Sequence, residues 1–302
     1  AQFIASPILG QLSDKYGRKP VLIISKLGTV ISYLLFAFSF NYSLILLSRL
    51  LDGFTGGNIS VARAYIIDIT KKEDRAKGMA IIGISFGVGF ILGPAIGGVL
   101  YSIYNTHTVP AIVAGCFSLI ALVLTATLLK EAKKTTPSTH NNIKILSSFS
   151  ELKSRPIQII CLVQLLFMII FAGFETSFSI FTNRLYQFSI KDNSWLFFYT
   201  GILSLIFQGY ITQRPFKNLK TGVITGLLSV SLSFAMLSLL NNMYLMLFSL
   251  VFFGLGIGLV LTHLPALLSL HADQNKTGEV MGVYEATGSL SRILGPLLTY
   301  TL

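Results

Sequence analysis

Ionisable residues inside apolar segments are the part of this sequence best suited to chemistry. The carboxylates Glu175, Asp52 and Glu285 each lie within a long apolar run, and Arg49 precedes Asp52 by less than one helical turn. Desolvation disfavours a charged carboxylate, so protonation removes a large burial penalty in one conformation. Intramembrane ionisable groups are by default candidates for function. We therefore predict proton coupling at Glu175, Asp52 and Glu285, in that order, with Arg49 as the charge that resets them.

The helical face of Glu175 is predicted to bind a substrate. It combines one charge, one amide and soft apolar surface, which suits a drug-sized, partly apolar ligand. Two further ionisable residues at membrane depth, His263 and Arg292, are added to this predicted site, although His263 has the alternative of a hydrogen-bonded core histidine. Glu285 and Arg292 are expected to bracket a site or to pair with other helices rather than with each other. The other predicted substrate-binding residues are Gln164, Met168, Phe171 and Phe178.

Transmembrane helices must position these residues. The chain has 302 residues, of which 53% are hydrophobic and 12% are charged, whereas soluble domains average about 25% charged. A membrane-spanning helix needs about 20 apolar residues. A short apolar run at 1–12 precedes the longer ones, which gives about ten helices and predicts an all-α integral membrane protein. The longer apolar stretches are 21–40, 44–67, 78–103, 111–129, 156–181, 195–212, 222–240, 244–270 and 279–302.

The positive charge is concentrated in alternate loops. Most of the 23 Lys and Arg residues lie in one set of these loops, and the other set is nearly free of them. By the positive-inside rule the basic loops are cytoplasmic, so the net charge of +11 reports topology and not a nucleic-acid partner. Cys116, Cys161 and the four histidines have no metal-ligand spacing, and no catalytic arrangement is present. We expect no metal, no cofactor and no enzymatic activity.

A polar segment divides the helices into two groups. It spans 131–155 and predicts an N-terminal bundle at 1–130 and a C-terminal bundle at 156–302, joined by a cytoplasmic linker. Leu92-Gly93-Pro94 recurs as Leu294-Gly295-Pro296, and the turn opened by Gly10 has a degraded counterpart opened by Gly209 at nearly the same offset. This repeat predicts two pseudo-symmetric six-helix bundles, a transporter architecture. On that count the sequence is expected to lack the first and twelfth helices and part of the second.

The turn at 10–20, GQLSDKYGRKP, is the first diagnostic motif. Gly17 permits a tight turn and Asp14 is suited to cap a helix N-terminus. The alternative is a turn without a special function that carries ordinary positive-inside charges. The residue order, however, strongly resembles the loop between the second and third helices of the major facilitator superfamily.

The segment 49–68 carries the second motif. The predicted helix at 44–67 carries a charged face about 100° wide, from Arg49 through Asp52 to Arg63, which must face protein or water. The alternative is that small residues merely pack helices while Arg49 pairs with Asp52. The pattern looks like the fourth helix of the drug:proton antiporter branch of the superfamily, which includes the tetracycline efflux proteins. That resemblance implicates Arg49 in proton coupling, pairs Asp68 with Arg18, and predicts a conformational latch at Asp14, Gly17, Arg18 and Asp68.

A glycine-rich helix carries the third motif. Gly89, Gly93 and Gly97 are spaced by four residues and predict a groove for another helix, while Pro94 is expected to bend the helix. With Gly98, this motif resembles the antiporter motif of the fifth helix in the same branch. Its first glycine is replaced here by Ala80.

Together these features predict a secondary active transporter that exports small amphipathic molecules in exchange for protons by alternating access. One alternative is a solute:proton symporter or facilitator of the same fold, and another is a transporter-like sensor that does not transport. The expected partners are a small-molecule substrate, protons and the lipid bilayer. We expect a monomer in the plasma (inner) membrane.

Overall fold

The computed structural model describes residues 1–132, 154–213, 218–239, 242–273 and 276–301, and these residues form helices without a strand. The all-helical class is therefore confirmed. A short 3₁₀ turn at Lys72–Asp74 precedes the fifth helix. The α-helices are α1 (Gln2–Tyr16), α2 (Arg18–Ala37), α3 (Tyr42–Thr55), α4 (Asn58–Ile69), α5 (Arg75–Tyr104), α6 (Thr108–Leu128), α7 (Arg155–Tyr186), α8 (Ile190–Gln213), α9 (Leu219–Ser238), α10 (Met243–His271) and α11 (Thr277–Thr301).

Long apolar helices are the main feature of the described chain. By length and composition α2, α6, α7, α9 and α10 are able to cross a membrane. Large hydrophobic side chains such as Ile24, Phe117 and Leu228 are exposed on them. In a bilayer such a surface faces lipid, so these side chains need not be buried inside the protein.

The segment predicted as one apolar stretch at 44–67 is interrupted. α3 ends at Thr55 and α4 begins at Asn58, so Gly56 and Gly57 separate two helices. The Ser25 hydroxyl donates to the Thr55 carbonyl, and the Gln2 amide donates to the Gly56 carbonyl at 3.3 Å. These bonds satisfy carbonyls that the break exposes, as a membrane protein requires. The prediction of one continuous charged face from Arg49 to Arg63 is therefore wrong.

The described helices form two compact units. The first unit comprises Ala1–Ile69, Ile96–Leu165 and His271–Leu290, and the second comprises Thr70–Ala95, Leu166–Leu270 and Ser291–Leu302. The two bundles at 1–130 and 156–302 stay a prediction. The predicted linker lies almost wholly outside the described residues, which resume at residue 154.

Within the first unit, α1 and α11 approach each other at glycines. A side chain on Gly282 would place its Cβ 2.7 Å from the Ser6 carbonyl oxygen and the Pro7 Cα. A Cβ on Gly10 would likewise collide with the Gly278 backbone. Small residues are what allow helix backbones to come this close in a membrane. This contact brings the turn after α1 to the beginning of α11.

Aromatic rings fill the core of the second unit. Phe174 of α7 lies 4.2 Å from Phe253 of α10 and 5.8 Å from Phe234 of α9, measured between ring centroids. Phe178 extends this cluster to Phe197 of α8 at 5.7 Å. Tilted and edge-to-face pairs at these distances add to the apolar packing. The cluster fixes α7 against three neighbouring helices.

Candidate functional site

Arg18 is the centre of a buried charge cluster at the turn between α1 and α2. Its Nε donates to Asp68 Oδ2 at 2.8 Å, and its Nη1 lies 2.7 Å from Asp14 Oδ1 and 2.6 Å from Ser13 Oγ. The Arg18 side chain is 1% exposed. A guanidinium needs several acceptors when it is removed from water, and this one has two carboxylates and a hydroxyl. We call Ser13, Asp14, Arg18, Asp68 and the capping residue Glu131, described below, the latch cluster.

Asp14 also caps the N-terminus of α11. Its Oδ1 accepts a hydrogen bond from the Gly278 backbone N–H at 3.1 Å, and its Oδ2 accepts one from Glu279 N–H at 2.8 Å. The first N–H groups of a helix lack partners within the helix, and the helix dipole favours a negative charge there. A side-chain bond from Gln11 Nε2 to Glu279 Oε1 at 2.9 Å adds to this contact. The turn after α1 is thus fixed to the beginning of α11.

Glu131, which the sequence did not single out, caps the N-terminus of α2. Its carboxylate accepts hydrogen bonds from the Arg18 N–H at 2.7 Å and the Lys19 N–H at 3.0 Å. Gly17 has φ of 100°, and a Cβ there would lie 3.0 Å from the same carboxylate. Both facts explain why the turn uses glycine. The sequence signal was weak, because Glu131 is one charge at the start of a polar segment with no fixed spacing to the turn.

A second buried ion pair joins α4 and α11. Arg63 Nη1 lies 3.1 Å from Glu285 Oε1, and the two side chains are 8% and 9% exposed. The guanidinium carbon of Arg63 lies 5.2 Å from the ring centroid of Tyr284. The Tyr284 hydroxyl donates to Gln164 Oε1 of α7 at 2.8 Å. We call these four residues the α4–α11 cluster.

Glu285 and Gln164 were predicted site residues, but their partners Arg63 and Tyr284 were not. Arg63 was predicted on the charged face of segment 49–68, which was a usable signal, because a membrane-depth arginine needs a partner. Tyr284 gave no such signal. Gln164 belongs to this cluster in the first unit, whereas the other residues predicted on its face of α7 lie in the second unit.

Arg49 and Asp52 form a more exposed pair within α3. Arg49 Nη1 lies 3.5 Å from Asp52 Oδ2, with side chains 41% and 29% exposed. The guanidinium of Arg49 lies 4.6 Å from the Phe36 ring centroid and 5.6 Å from that of Tyr33. Ser32 donates to Asp52 Oδ1 at 3.3 Å. Arg49 therefore keeps an accessible charge flanked by aromatic rings.

Glu175 is exposed on α7, in contrast to the buried Glu285. It lies close enough to Arg292 of α11 for electrostatic attraction. On the same helix Met168 and Phe178 are buried, and Phe171 stacks on Phe253 with ring centroids 6.3 Å apart. These apolar residues therefore pack in the interior of the second unit while the carboxylate remains accessible.

His263 lies inside the second unit and is completely buried. Its Nδ1 is 2.9 Å from the Leu259 carbonyl oxygen, one helical turn earlier on α10. The ring lies against Gly222 of α9, where a Cβ would come within 2.7 Å of its Cγ. This geometry fits a core histidine that packs two helices, the alternative that the sequence left open.

α5 carries the predicted glycine motif. In the part of the chain that the structure describes, nothing lies within 4 Å of a Cβ built on Gly89, Gly93, Gly97 or Gly98, so the predicted close approach is not observed there. The close contacts of α5 are instead at Gly83 against Gln208 and at Gly87 against Leu205, both on α8. α5 is continuous from Arg75 to Tyr104 through Pro94.

Long apolar helices that bury ion pairs are typical of membrane transport proteins. Residues 1–296 match the family model described as Major Facilitator Superfamily. The chain therefore belongs to the major facilitator superfamily, whose transporters are multi-pass membrane proteins.

Two groups of relatives are similar to this chain over nearly its full length. The class C tetracycline resistance protein of Escherichia coli is 30% identical over 98% of this chain and 76% of its own length. The class B protein of the same organism is 29% identical over 98% and 75%. Major facilitator superfamily domain-containing protein 10 of Mus musculus is 27% identical over 98% and 69%.

A solved structure shows the same fold. The crystal structure of the human organic anion transporter MFSD10 (TETRAN) superposes with a TM-score of 0.91 at 26% identity, covering 98% of this chain and 74% of that one. The resemblance predicted from the motifs is thus confirmed, and the chain is a transporter of this superfamily.

Proposed function

We propose that this transporter exports small amphipathic molecules in exchange for protons by alternating access. The observation that carries the proposal is the buried pair between Arg63 and Glu285. Protonation of Glu285 removes the negative charge that Arg63 needs, so the pair has a strong tendency to separate once a proton arrives. The tetracycline resistance proteins among its relatives support drug efflux as the direction of transport.

The latch cluster supplies the conformational part of the proposal. Asp14 and Arg18 hold the turn after α1 to α4 and to the start of α11. By the positive-inside rule this turn is cytoplasmic, so these contacts keep the cytoplasmic ends of α1, α4 and α11 together. Breaking them lets the helices separate at that end, which is one half of an alternating-access cycle. The proposed location is the plasma (inner) membrane, with the protein as a monomer.

A second candidate function is transport of organic anions, the activity named for the human MFSD10 structure. Arg49 favours it, because its guanidinium is 41% exposed and lies beside the rings of Phe36 and Tyr33. A charged head group with an aromatic body fits such a surface through ion pairing and stacking. Under this candidate the substrate carries the negative charge and Arg49 binds it.

Transport into inside-out vesicles tests both candidates. A proton gradient with an acidic lumen should drive accumulation of a cationic or zwitterionic amphiphile such as tetracycline, and collapse of the gradient should abolish it. Saturable uptake of a fluorescent aromatic carboxylate to its external concentration, without a proton gradient, would instead support organic-anion transport. A substrate that binds but is never accumulated would contradict both proposals.

Proton release identifies the coupling carboxylate. On substrate binding, purified native protein in weak buffer should release protons. A Glu285→Gln variant should release fewer, although the glutamine side chain has nearly the same shape beside Arg63. The matched variant is Glu175→Gln, because Glu175 is exposed and near Arg292. If Glu175→Gln alone reduces release, the coupling carboxylate is Glu175 and the buried pair is structural. Equal release by native protein and both variants directs the search to Asp52.

A further inference from the structure

The end of α10 is held by a guanidinium from a distant part of the chain. Arg75 begins α5, and its Nη1 donates to the Ser269 carbonyl oxygen at 2.7 Å and to Ser269 Oγ at 3.3 Å. Arg75 is 6% exposed and Ser269 is 2% exposed. In the sequence, Arg75 lies among the basic residues of one of the loops predicted to be cytoplasmic. Arg75 differs from an exposed loop charge because it is buried and donates to a defined acceptor, Ser269.

The Arg75 contact matches the chemistry of a helix C-terminus. The last four carbonyl groups of a helix have no partner within it, and Ser269 lies in the last four residues of α10, which ends at His271. The helix dipole favours a positive charge at this end. Ser269 Oγ donates to the Ala266 carbonyl at 2.6 Å, so its oxygen lone pairs remain for Arg75. Arginine keeps its charge at every physiological pH, so this contact does not depend on titration.

A nearby basic residue shows the contrast. Lys77 pairs with Asp74 at 3.0 Å, and the two side chains are 45% and 50% exposed. Such a surface pair contributes little to stability. Lys77 is therefore an exposed charge in the first turn of α5, and it serves as a matched control for Arg75.

We propose that Arg75 is a positioning residue of the transport cycle that holds the cytoplasmic end of α10. The inference rests on the alternating-access mechanism proposed above. Arg75 places a positive charge at the C-terminus of α10. Asp14 likewise places a negative charge at the N-terminus of the next helix, α11. The two helix ends are close in sequence, at His271 and Thr277, and each receives the sign of charge that its dipole favours. Release of Arg75 frees the end of α10 to move.

A spin-label distance measures this directly, without substrate or proton. Labels are placed at Glu73→Cys and Leu270→Cys, two exposed positions of the second unit, with Cys116 and Cys161 replaced by Ala. In nanodiscs the parent protein should give one narrow distance distribution. Arg75→Gln should add a longer-distance population, with the ratio of closed to open molecules reduced at least about tenfold, as expected for a lost hydrogen bond to a charged group. Arg75→Lys, which keeps the charge, should lie in between.

The controls separate positioning from general damage. Lys77→Gln should leave the distribution unchanged, and a monodisperse elution profile checks that each variant is folded. An Arg75→Gln distribution identical to the parent would overturn the proposal, and so would an equal change in Lys77→Gln. Loss of folded protein in both Arg75→Gln and Arg75→Lys would also overturn it, since Arg75 would then be needed for folding alone. Because no transport is measured, these outcomes do not depend on the substrate or on proton coupling.

Discussion

The latch cluster and the α4–α11 cluster both bury an arginine, but they partner it differently. Arg18 contacts two carboxylates and a hydroxyl, and Asp14 is itself bonded to backbone amides. Arg63 is held by one carboxylate and by the face of one aromatic ring. Loss of one negative charge therefore leaves Arg18 with a second carboxylate, whereas it leaves Arg63 with none among the described ion pairs. The first arrangement suits a structural latch, and the second suits a group whose state changes on protonation.

The largest effect is expected from breaking the α4–α11 pair. Arg63→Ala leaves Glu285 buried without its cation and should lower the free energy of unfolding by about 3–5 kcal/mol. Titration with SDS in mixed micelles measures this loss.

The double variant Arg63→Met with Glu285→Met is the control for that prediction. It removes both charges at similar volume and should restore most of the lost stability, while proton-driven transport stays absent. A double variant as unstable as Arg63→Ala would contradict the assignment, because the loss would then come from packing and not from an unpaired charge.

Charge reversal in the latch cluster should have a clear effect on transport. Arg18→Asp and Asp68→Arg should each impair transport, and the double swap should recover part of it. Recovery is partial because Arg18 also binds Asp14 and Ser13, which a reversed pair cannot satisfy. A coupling energy of about 1–3 kcal/mol between the two substitutions is expected from the initial transport rates. Additive losses would count against the pairing.

The difference between the clusters also explains what the sequence could predict. The turn at 10–20 has its residues at fixed spacing because a tight turn and a helix end constrain them, so its residue order was recognisable. The Arg18–Asp68 contact followed from the resemblance of segment 49–68, and the structure places Arg18 Nε 2.8 Å from Asp68 Oδ2. Hydropathy was enough for the helical class, since a bilayer allows few alternatives.

Long-range partners were beyond the sequence for a physical reason. Arg63 and Glu285, or Arg75 and Ser269, meet only after distant helices pack, and nothing in local spacing encodes which helices those are. The break between α3 and α4, at Gly56 and Gly57, was not predicted, because glycines are also common within continuous membrane helices. Here Gln2 and Ser25, which lie outside those two helices, donate hydrogen bonds to the carbonyls at the break.

A moderate effect is expected from the cap on α2. Glu131→Gln removes the charge from two hydrogen bonds to backbone N–H groups and should lower the free energy of unfolding by about 1 kcal/mol. The same SDS titration measures it, with Glu73→Gln as the control at an exposed acidic position in the 3₁₀ turn Lys72–Asp74. Since Glu131 fixes the backbone of Arg18, the variant should also weaken the coupling between Arg18 and Asp68. Unchanged coupling would show that the latch cluster forms without its cap.

The smallest effect on stability is expected at the exposed pair of α3. Asp52→Asn should change the free energy of unfolding by less than about 1 kcal/mol, because Asp52 and Arg49 are partly exposed and 3.5 Å apart. Ser32 can still donate to the amide oxygen that replaces Asp52 Oδ1. Transport is then the informative measurement. If Asp52→Asn leaves proton-driven accumulation intact while Glu285→Gln abolishes it, coupling belongs to the buried pair. If Asp52→Asn abolishes accumulation at unchanged stability, an exposed carboxylate carries the proton, and the contrast between the two buried clusters concerns structure alone.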